Sequence, residues 1–187
     1  MGIEMELFGQ LRDIHADELE LMLSWRNAPA VRANMYTRHE ISLKEHLAWW
    51  ERVANRADQK YFMYEIEGKP TGVVAFNEIS ISDAISSWAF YAAPDAPKGT
   101  GSKMEFLALD YAFDKMCLHK LSCEVLAFNS AVIKLHQKFN FQVEGVLREH
   151  HRVEGKFVDV YRLGILDREW EAHRSFMREK LTKLSGR

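Results

Sequence analysis

The sequence predicts an α/β domain whose strands fall into two groups on either side of one central helix. Three observations support this: a meander of apolar runs, a glycine loop opening an amphipathic helix, and a strand, short helix and hairpin after it. With 187 residues, of which 47% are apolar, the chain can bury one sizeable core. We therefore predict a single domain over residues 1–187.

The segment before the meander is predicted to form one strand and one helix. Met5, Leu7 and Leu11 are spaced so that they can share a first strand. Asp17 is a residue type favoured at a helix N-cap, and apolar residues follow it at helical spacing. Pro29 is expected to end or kink that helix, because proline has no N–H to donate.

A second helix is predicted from Ser42. Ser42 and Glu45 have the spacing of a capping box, in which each side chain bonds the other residue's backbone N–H. The apolar stripe expected to face the core consists of Leu43, Leu47, Trp50 and Ala54.

His46, Trp49 and Trp50 on this helix have both structural and functional interpretations. His46 is more often a structural histidine than a ligand. Trp49 and Trp50 point in different directions because neighbouring helical residues diverge. One of the two is therefore expected in the core, and the other can line a groove.

The remaining elements follow from apolar runs and turn residues. A short helix is predicted after Asn129 or Ser130, with Asn140 as a left-handed C-cap, and a C-terminal helix is predicted over 167–187. Strands are predicted at residues 61–66, 72–79, 85–91, 120–126, 141–152 and 157–166.

Glu124 interrupts the apolar run of the predicted strand at 120–126. A carboxylate in a central strand is costly unless it is paired or functional. One interpretation is a solvated or salt-bridged side chain, and the other is a catalytic group. Its position after the glycine-loop helix favours the catalytic interpretation.

The glycine loop at 97–103 is the stretch around which the chain is organised. Gly99 and Gly101 permit close approach of backbone N–H groups, the helix start adds free donors, and two lysines in the loop add charge. These features describe a cradle for a pyrophosphate group. A flexible strand-to-helix turn explains the two glycines equally well.

Composition excludes several classes of protein. The net charge of −2 leaves no electrostatic footprint for nucleic acid, and no apolar run is long enough to span a membrane. Cys117 and Cys123 form no CxxC motif or disulfide framework, and the first residues do not resemble a signal peptide, so we expect a cytoplasmic location. We predict no metal site, because the adjacent His150 and His151 face opposite sides of a strand.

The succession of strand, glycine loop, helix, strand and short helix resembles the GNAT N-acetyltransferase family. The resemblance implies the GNAT fold, a mixed, mostly antiparallel central sheet flanked by helices, and acetyl-coenzyme A as co-substrate. Ala96 stands where the family's loop usually has Gln or Arg, and Lys98 is a candidate to supply that charge. The implied cofactor-binding residues are Phe90, Tyr91, Ala92, Lys98, Gly99, Thr100, Gly101, Ser102, Lys103, Asn129 and Lys134.

Within that family, the chain is similar to the PseH type, the UDP-4-amino-4,6-dideoxy-N-acetyl-β-L-altrosamine N-acetyltransferases of pseudaminic acid biosynthesis. The resemblance rests on segments such as Trp25-Arg26-Asn27 and Ile41-Ser42-Leu43-Lys44-x-His46-Leu47. It implies a UDP-linked amino-sugar as acceptor, with Arg26 and His46 on the diphosphate. The implied substrate-binding residues are Arg26, Met35, Tyr36, His46, Trp49 and Asn77.

The same resemblance implies direct acetyl transfer with Glu124 as general base and His136 as general acid, at a position where relatives usually have Tyr. Without the resemblance, His136 would be interpreted as a surface or packing residue of its helix. Two rival functions stay open: an acetyltransferase for a protein N-terminus or another small amine, and a non-catalytic acyl-coenzyme A binding module. Besides the substrate, a second copy of the chain is a candidate partner, in a homodimer.

Overall fold

The computed structural model describes residues 7–185 and contains one seven-stranded sheet in the order β1-β2-β3-β4-β5-β7-β6. Its strands are β1 Gln10–Arg12, β2 Lys60–Ile66, β3 Lys69–Ser80, β4 Ile85–Ala92, β5 Lys120–Leu126, β6 Gln142–Val153 and β7 Lys156–Leu166. The α-helices are α1 Leu19–Asn27, α2 Pro29–Arg32, α3 Leu43–Val53, α4 Thr100–Asp110, α5 Ser130–Lys138 and α6 Asp167–Ser185.

The sheet is mixed, and its one parallel pair lies at the centre. β4 and β5 pair only where Ile85–Ser87 lie beside Lys120–Ser122. Beyond these residues the two strands separate. Every other neighbouring pair in the sheet is antiparallel. The GNAT fold implied by the sequence resemblance is confirmed, and the separation of β4 from β5 opens the cleft described below.

Helices cover both faces of the sheet. On one face the larger core joins strand residues such as Phe76 to Met104 of α4 and Trp170 of α6. On the other face Met22 of α1 packs in a smaller cluster with Met63 and its neighbours. Because both faces are covered, β2 and β3 carry continuous buried runs instead of a strict alternation.

The N-terminal predictions need correction. The first strand contains Leu11 but spans only three residues, whereas Leu7 is helical and Met5 lies outside the described residues. Asp17 does not cap a helix, because it lies inside a 3₁₀ turn that precedes α1. Pro29 does follow the end of α1, but it also begins α2, where its missing N–H costs nothing.

The predicted second helix is present as α3, but it is turned differently. Leu43 and Leu47 are each 39% exposed, whereas His46 and Val53 are buried. The predicted apolar stripe is therefore wrong at both leucines, whereas Trp50 does pack against the smaller core cluster. The helix directs His46 and the aromatic face beside it toward the protein and leaves its leucines in solvent.

Candidate active site

The cleft between β4 and β5 forms a cavity of about 310 Å³. It is bounded by residues 88–92 of β4, residues 123–126 of β5 and the side chains of α5 that face them. Six of the residues singled out in the sequence for cofactor binding or catalysis line it: Phe90, Tyr91, Ala92, Glu124, Asn129 and His136. The fold thus brings together residues that lie far apart in the sequence.

A second cavity of about 340 Å³ lies on the side of the sheet covered by α1 and α3. Phe90 and Tyr91 line this cavity as well as the cleft, so the two meet along β4. Five of the six predicted substrate-binding residues line it: Arg26, Met35, His46, Trp49 and Asn77. The sixth, Tyr36, lies in the cleft instead.

Arg26 and His46 line the second cavity, and each carries a buried polar atom without a hydrogen-bond partner among the described residues. The Arg26 guanidinium donates from Nη2 to the Thr37 carbonyl at 3.0 Å, but its Nη1 is buried with no hydrogen-bond partner within residues 7–185. The same is true of His46 Nε2, and the His46 ring stacks on Trp49 with centroids 5.2 Å apart. Burial lowers the pKa of both groups.

Asn27 fixes the chain segment beside this cavity. Its amide donates to the Ile41 carbonyl at 2.8 Å and its Oδ1 accepts from the Ile41 N–H at 2.9 Å, as a neighbouring strand would. Ser42, directly after this clasp, caps α3 by accepting from the Glu45 N–H at 3.2 Å. Within residues 7–185 the reciprocal half of the capping box is absent, because the Glu45 carboxylate contacts His39 at 3.0 Å instead.

Glu124 is held from two sides in the cleft. Its carboxylate accepts from the Tyr36 hydroxyl at 2.8 Å and from Arg162 Nε at 2.9 Å, and 32% of its side chain is exposed. Burial and this hydrogen bond raise the pKa of Tyr36, so the phenol keeps its proton and donates it. Glu124 is therefore salt-bridged and also placed where it can reach a ligand in the cleft.

His136 is 2% exposed and lies among aromatic rings. Its ring centroid is 5.4 Å from that of Trp88 and 5.2 Å from that of Phe141. Its Nδ1 is 2.8 Å from Oε1 of Glu105, a carboxylate of α4 that is itself 0% exposed. Sequence reasoning missed Glu105, although a carboxylate on the apolar face of an amphipathic helix is a signal for it.

The glycine loop meets two different demands. Gly99 has φ +91°, in the left-handed region that favours glycine, and it is the N-cap of α4 without a side-chain cap. A Cβ on Gly101 would lie 3.3 Å from Leu135 Cδ2 and 3.5 Å from Phe90 Cε2, so this glycine allows α4 to approach α5 and β4. The flexible-turn interpretation therefore explains part of the pattern.

The loop also fits a phosphate group. A Cβ at Gly99 would meet nothing within 4 Å, so the uncapped start of α4 is open. Lys98 is exposed beside it, whereas Lys103 is half-buried and Ser102 partly accessible. Thr100 is 5% exposed and its backbone N–H donates to the Pro97 carbonyl at 3.2 Å, whereas Lys134 is exposed on α5.

Two kinds of feature are absent from residues 7–185. From residue 7 to 185, no group of three or more His, Cys, Asp or Glu side chains is arranged to hold a metal ion. No helix in the same part of the chain combines the length and apolar character needed to cross a membrane.

Comparisons with known proteins agree with this fold. Residues 10–142 match the family described as acetyltransferase (GNAT) domain. The acetyltransferase PseH of Campylobacter jejuni subsp. jejuni serotype O:23/36 is 28% identical over 131 residues, which cover 70% of this chain and 81% of that protein. The spermidine N(1)-acetyltransferase of Escherichia coli (strain K12) is 22% identical over 175 residues, covering 93% of this chain and 94% of that protein.

A solved structure shares the fold. The spermidine N-acetyltransferase from Vibrio cholerae, in complex with CoA and spermine, matches with a TM-score of 0.81 and 24% identity. The match covers 87% of this chain and 97% of that one. The spermidine acetyltransferases are named for a polyamine acceptor. The sequence resemblance implies a different acceptor class, a UDP-linked amino-sugar.

Proposed function

The chain belongs to the GNAT acetyltransferase family and is an acetyl-coenzyme A-dependent N-acetyltransferase, and we propose that its acceptor is the 4-amino group of a UDP-linked amino-deoxy sugar. The observation that carries this proposal is the pair of buried, unpartnered atoms Arg26 Nη1 and His46 Nε2, which belong to side chains lining one cavity. Both side chains suit a diphosphate, since Arg binds phosphate through several N–H donors.

The charge of the second cavity separates two acceptor classes. Its lining includes Arg26 and Arg52 but only one carboxylate, Glu45, which contacts His39 at 3.0 Å. A polyamine carries several positive charges and needs carboxylates as partners, whereas a nucleoside diphosphate needs cations. The cavity therefore favours the nucleotide-sugar over the polyamine of the spermidine acetyltransferases.

The chemistry assigns one role to each side of the cleft. The sugar amine arrives protonated, and Glu124 takes a proton from its nitrogen directly or through a water. The nitrogen lone pair then forms the N–C bond to the acetyl carbonyl while the C–S bond of the thioester breaks, and the extra proton left on the new amide nitrogen passes to water. His136 gives a proton to the departing thiolate, so no charge is left on sulfur. The pyrophosphate of the co-substrate is assigned to the open start of α4, with Lys98 nearby.

Coenzyme A release against a panel of amines tests the proposal. The panel contains a UDP-4-amino-sugar, spermidine, an aminoglycoside and a peptide with a free N-terminus. We expect the UDP-amino-sugar to have the highest kcat/KM. Arg26→Ala should raise the acceptor KM by roughly ten- to a hundredfold, the value of a charged hydrogen bond, and leave the KM of acetyl-coenzyme A nearly unchanged.

Arg56→Ala is the matched control, because Arg56 pairs with Asp58 at 2.6 Å in a surface contact outside the cavity. This variant should keep the wild-type acceptor KM. Spermidine as the best substrate, together with an Arg26→Ala variant that uses it equally well or better, would reject the nucleotide-sugar proposal. The same result would favour the polyamine acceptor.

A further inference from the structure

We propose that Glu105 is a positioning residue that holds the His136 imidazole as a proton donor to the leaving thiolate. The proposal rests on the acid role given to His136 above and adds the group that makes this role work. Glu105 lies on α4, the helix that the glycine loop opens, and His136 lies on α5 across the cleft wall. One contact thus links the phosphate-binding helix to the reacting sulfur.

The geometry leaves one ring nitrogen for the reaction. Nδ1 of His136 lies 2.8 Å from Glu105 Oε1, and this contact fixes the orientation of the ring. Because Glu105 occupies Nδ1, Nε2 is the nitrogen left for the thioester in the cleft that His136 lines, and the Cys123 thiol is a further hydrogen-bond partner of the ring. The second carboxylate oxygen of Glu105 is buried with no hydrogen-bond partner within the described chain, so the imidazole is the main partner of this carboxylate.

The surroundings of the imidazole contain few other titratable groups. Among the described residues, Glu105 faces it from α4 and Cys123 from β5, whereas β4 contributes the rings of Trp88 and Phe90. Phe141 covers another side, and the lysines of α5 are exposed. Glu105 is therefore the group whose charge is placed to decide the protonation of the ring.

The pKa of His136 agrees with this geometry. Burial opposes a charge on the imidazole, but the carboxylate of Glu105 and the thiol of Cys123 outweigh it and raise the pKa to about 10. Burial also raises the pKa of Glu105, so the pair retains a proton at neutral pH. A tyrosine has an ordinary pKa of about 10, so a histidine held at this pKa can donate a proton to the thiolate as a phenol would.

The proton balance is closed without another reagent. The thiolate sulfur takes the proton from Nε2 as the C–S bond breaks, and the ring becomes neutral while Nδ1–H continues to donate to Glu105. Solvent protonates the ring again after coenzyme A leaves. The carboxylate touches neither substrate, so its effect is exerted through the ring.

The first test measures the imidazole itself by NMR and needs no acceptor. The ring of His136 is titrated in the wild type and in Glu105→Gln, which keeps the shape of the side chain without its charge. We expect the pKa of His136 to fall from about 10 to below the ordinary value of about 6.5, because burial then dominates. Glu105→Asp keeps the charge at a greater distance and should give a value between the two.

The second test follows coenzyme A release against pH with whichever amine proves to be the acceptor. In Glu105→Gln the high-pH limb should move down, and kcat at pH 8 should fall by at least about thirtyfold, since a ring of pKa 6.5 is then mostly neutral. In a His136→Tyr background the same substitution should change kcat less than threefold, because a phenol keeps its own proton.

Asp110→Asn is the matched control. Asp110 lies on the same helix, outside the cleft. Its carboxylate accepts hydrogen bonds from Arg174 at 2.7 Å and from Trp170 at 2.9 Å. The Asp110→Asn variant should leave the pH profile of kcat unchanged. Any fall in its kcat then measures the general effect of losing a carboxylate from α4. An unshifted His136 pKa in folded Glu105→Gln, or an equal loss of kcat in the His136→Tyr background, would overturn the proposal. Failure of the UDP-amino-sugar as substrate would leave the NMR result intact and would count only against the proposed acceptor.

Discussion

At the scale of single residues, the two side chains assigned to the diphosphate differ in charge before the ligand arrives. Arg26 is a permanent cation. Burial lowers the pKa of His46 below its ordinary value, so its ring is neutral at pH 7 in the free protein. A phosphate beside Nε2 would favour the protonated ring and raise this pKa on binding. Binding of a diphosphate should therefore take up a proton.

This linkage predicts that UDP-N-acetylglucosamine, which has no free amine, inhibits more weakly as pH rises. The added affinity is fully present below the pKa of free His46 and is lost as pH passes the higher pKa of the complex. Inhibition constants measured from pH 5.5 to 8.5 should rise by up to about tenfold in the wild type. His46→Gln should give a nearly flat profile, and a flat wild-type profile would contradict the assignment.

Glu124 carries the second prediction at this scale. Glu124→Gln keeps the shape of the side chain but removes the proton acceptor, so kcat should fall roughly 10²–10⁴-fold. Tyr36→Phe is a useful comparison, because it removes one hydrogen bond to Glu124 and leaves the carboxylate in place. Steady-state kinetics with acetyl-coenzyme A would measure both variants. Full activity in Glu124→Gln would mean that the amine loses its proton before it reaches the cleft.

At the scale of elements, the contact of α4 with α5 depends on the missing side chain of Gly101. A Cβ there would stand 3.3 Å from Leu135 Cδ2, closer than a comfortable packing distance. Valine adds more bulk than one carbon, and overpacking of this kind costs about 1–3 kcal/mol. The consequence is a loss of stability as well as any effect on the glycine loop.

Gly101→Val should therefore lower the free energy of unfolding by about 1–3 kcal/mol, as measured by urea denaturation. Leu135→Ala in the same protein should recover part of that loss, because it removes the side chain that the new methyl groups meet. Additive losses in the double variant would show that the two side chains do not interact. Acetyl-coenzyme A affinity measured in the double variant would then report the effect on the loop alone.

Some elements can be predicted from the sequence and others cannot. The strand Lys120–Leu126 and the helix cap at Ser42 are predicted correctly because local residue types decide them. The orientation of α3 is not, because His46, and not the leucines, lies on the side of the helix that faces the cavity. The pairing of Glu105 with His136 joins residues 31 apart in sequence, and no local signal specifies such a partner.

At the scale of the whole molecule, the sheet consists of two antiparallel units. β1 to β4 form one and β5 to β7 form the other, and the ladder that joins β4 to β5 contains three residue pairs. The cleft lies on this junction, so its walls belong to different units: Phe90 to the first and Glu124 to the second. Active-site geometry therefore depends on how the two units are held together, which the sequence pattern of either unit does not reveal.

The short junction between β4 and β5 has a consequence for amide hydrogen–deuterium exchange. Beyond Ser87 and Ser122, every second amide of the two strands points away from its antiparallel neighbour and toward the cleft, where no strand accepts its hydrogen bond. These amides should take up deuterium quickly in the free protein, although they lie in the middle of a sheet. Mass spectrometry of peptides covering residues 88–92 and 123–126 should show the uptake slowing when acetyl-coenzyme A is added. Unchanged uptake there, with slowing elsewhere, would place the co-substrate outside the gap between the strands.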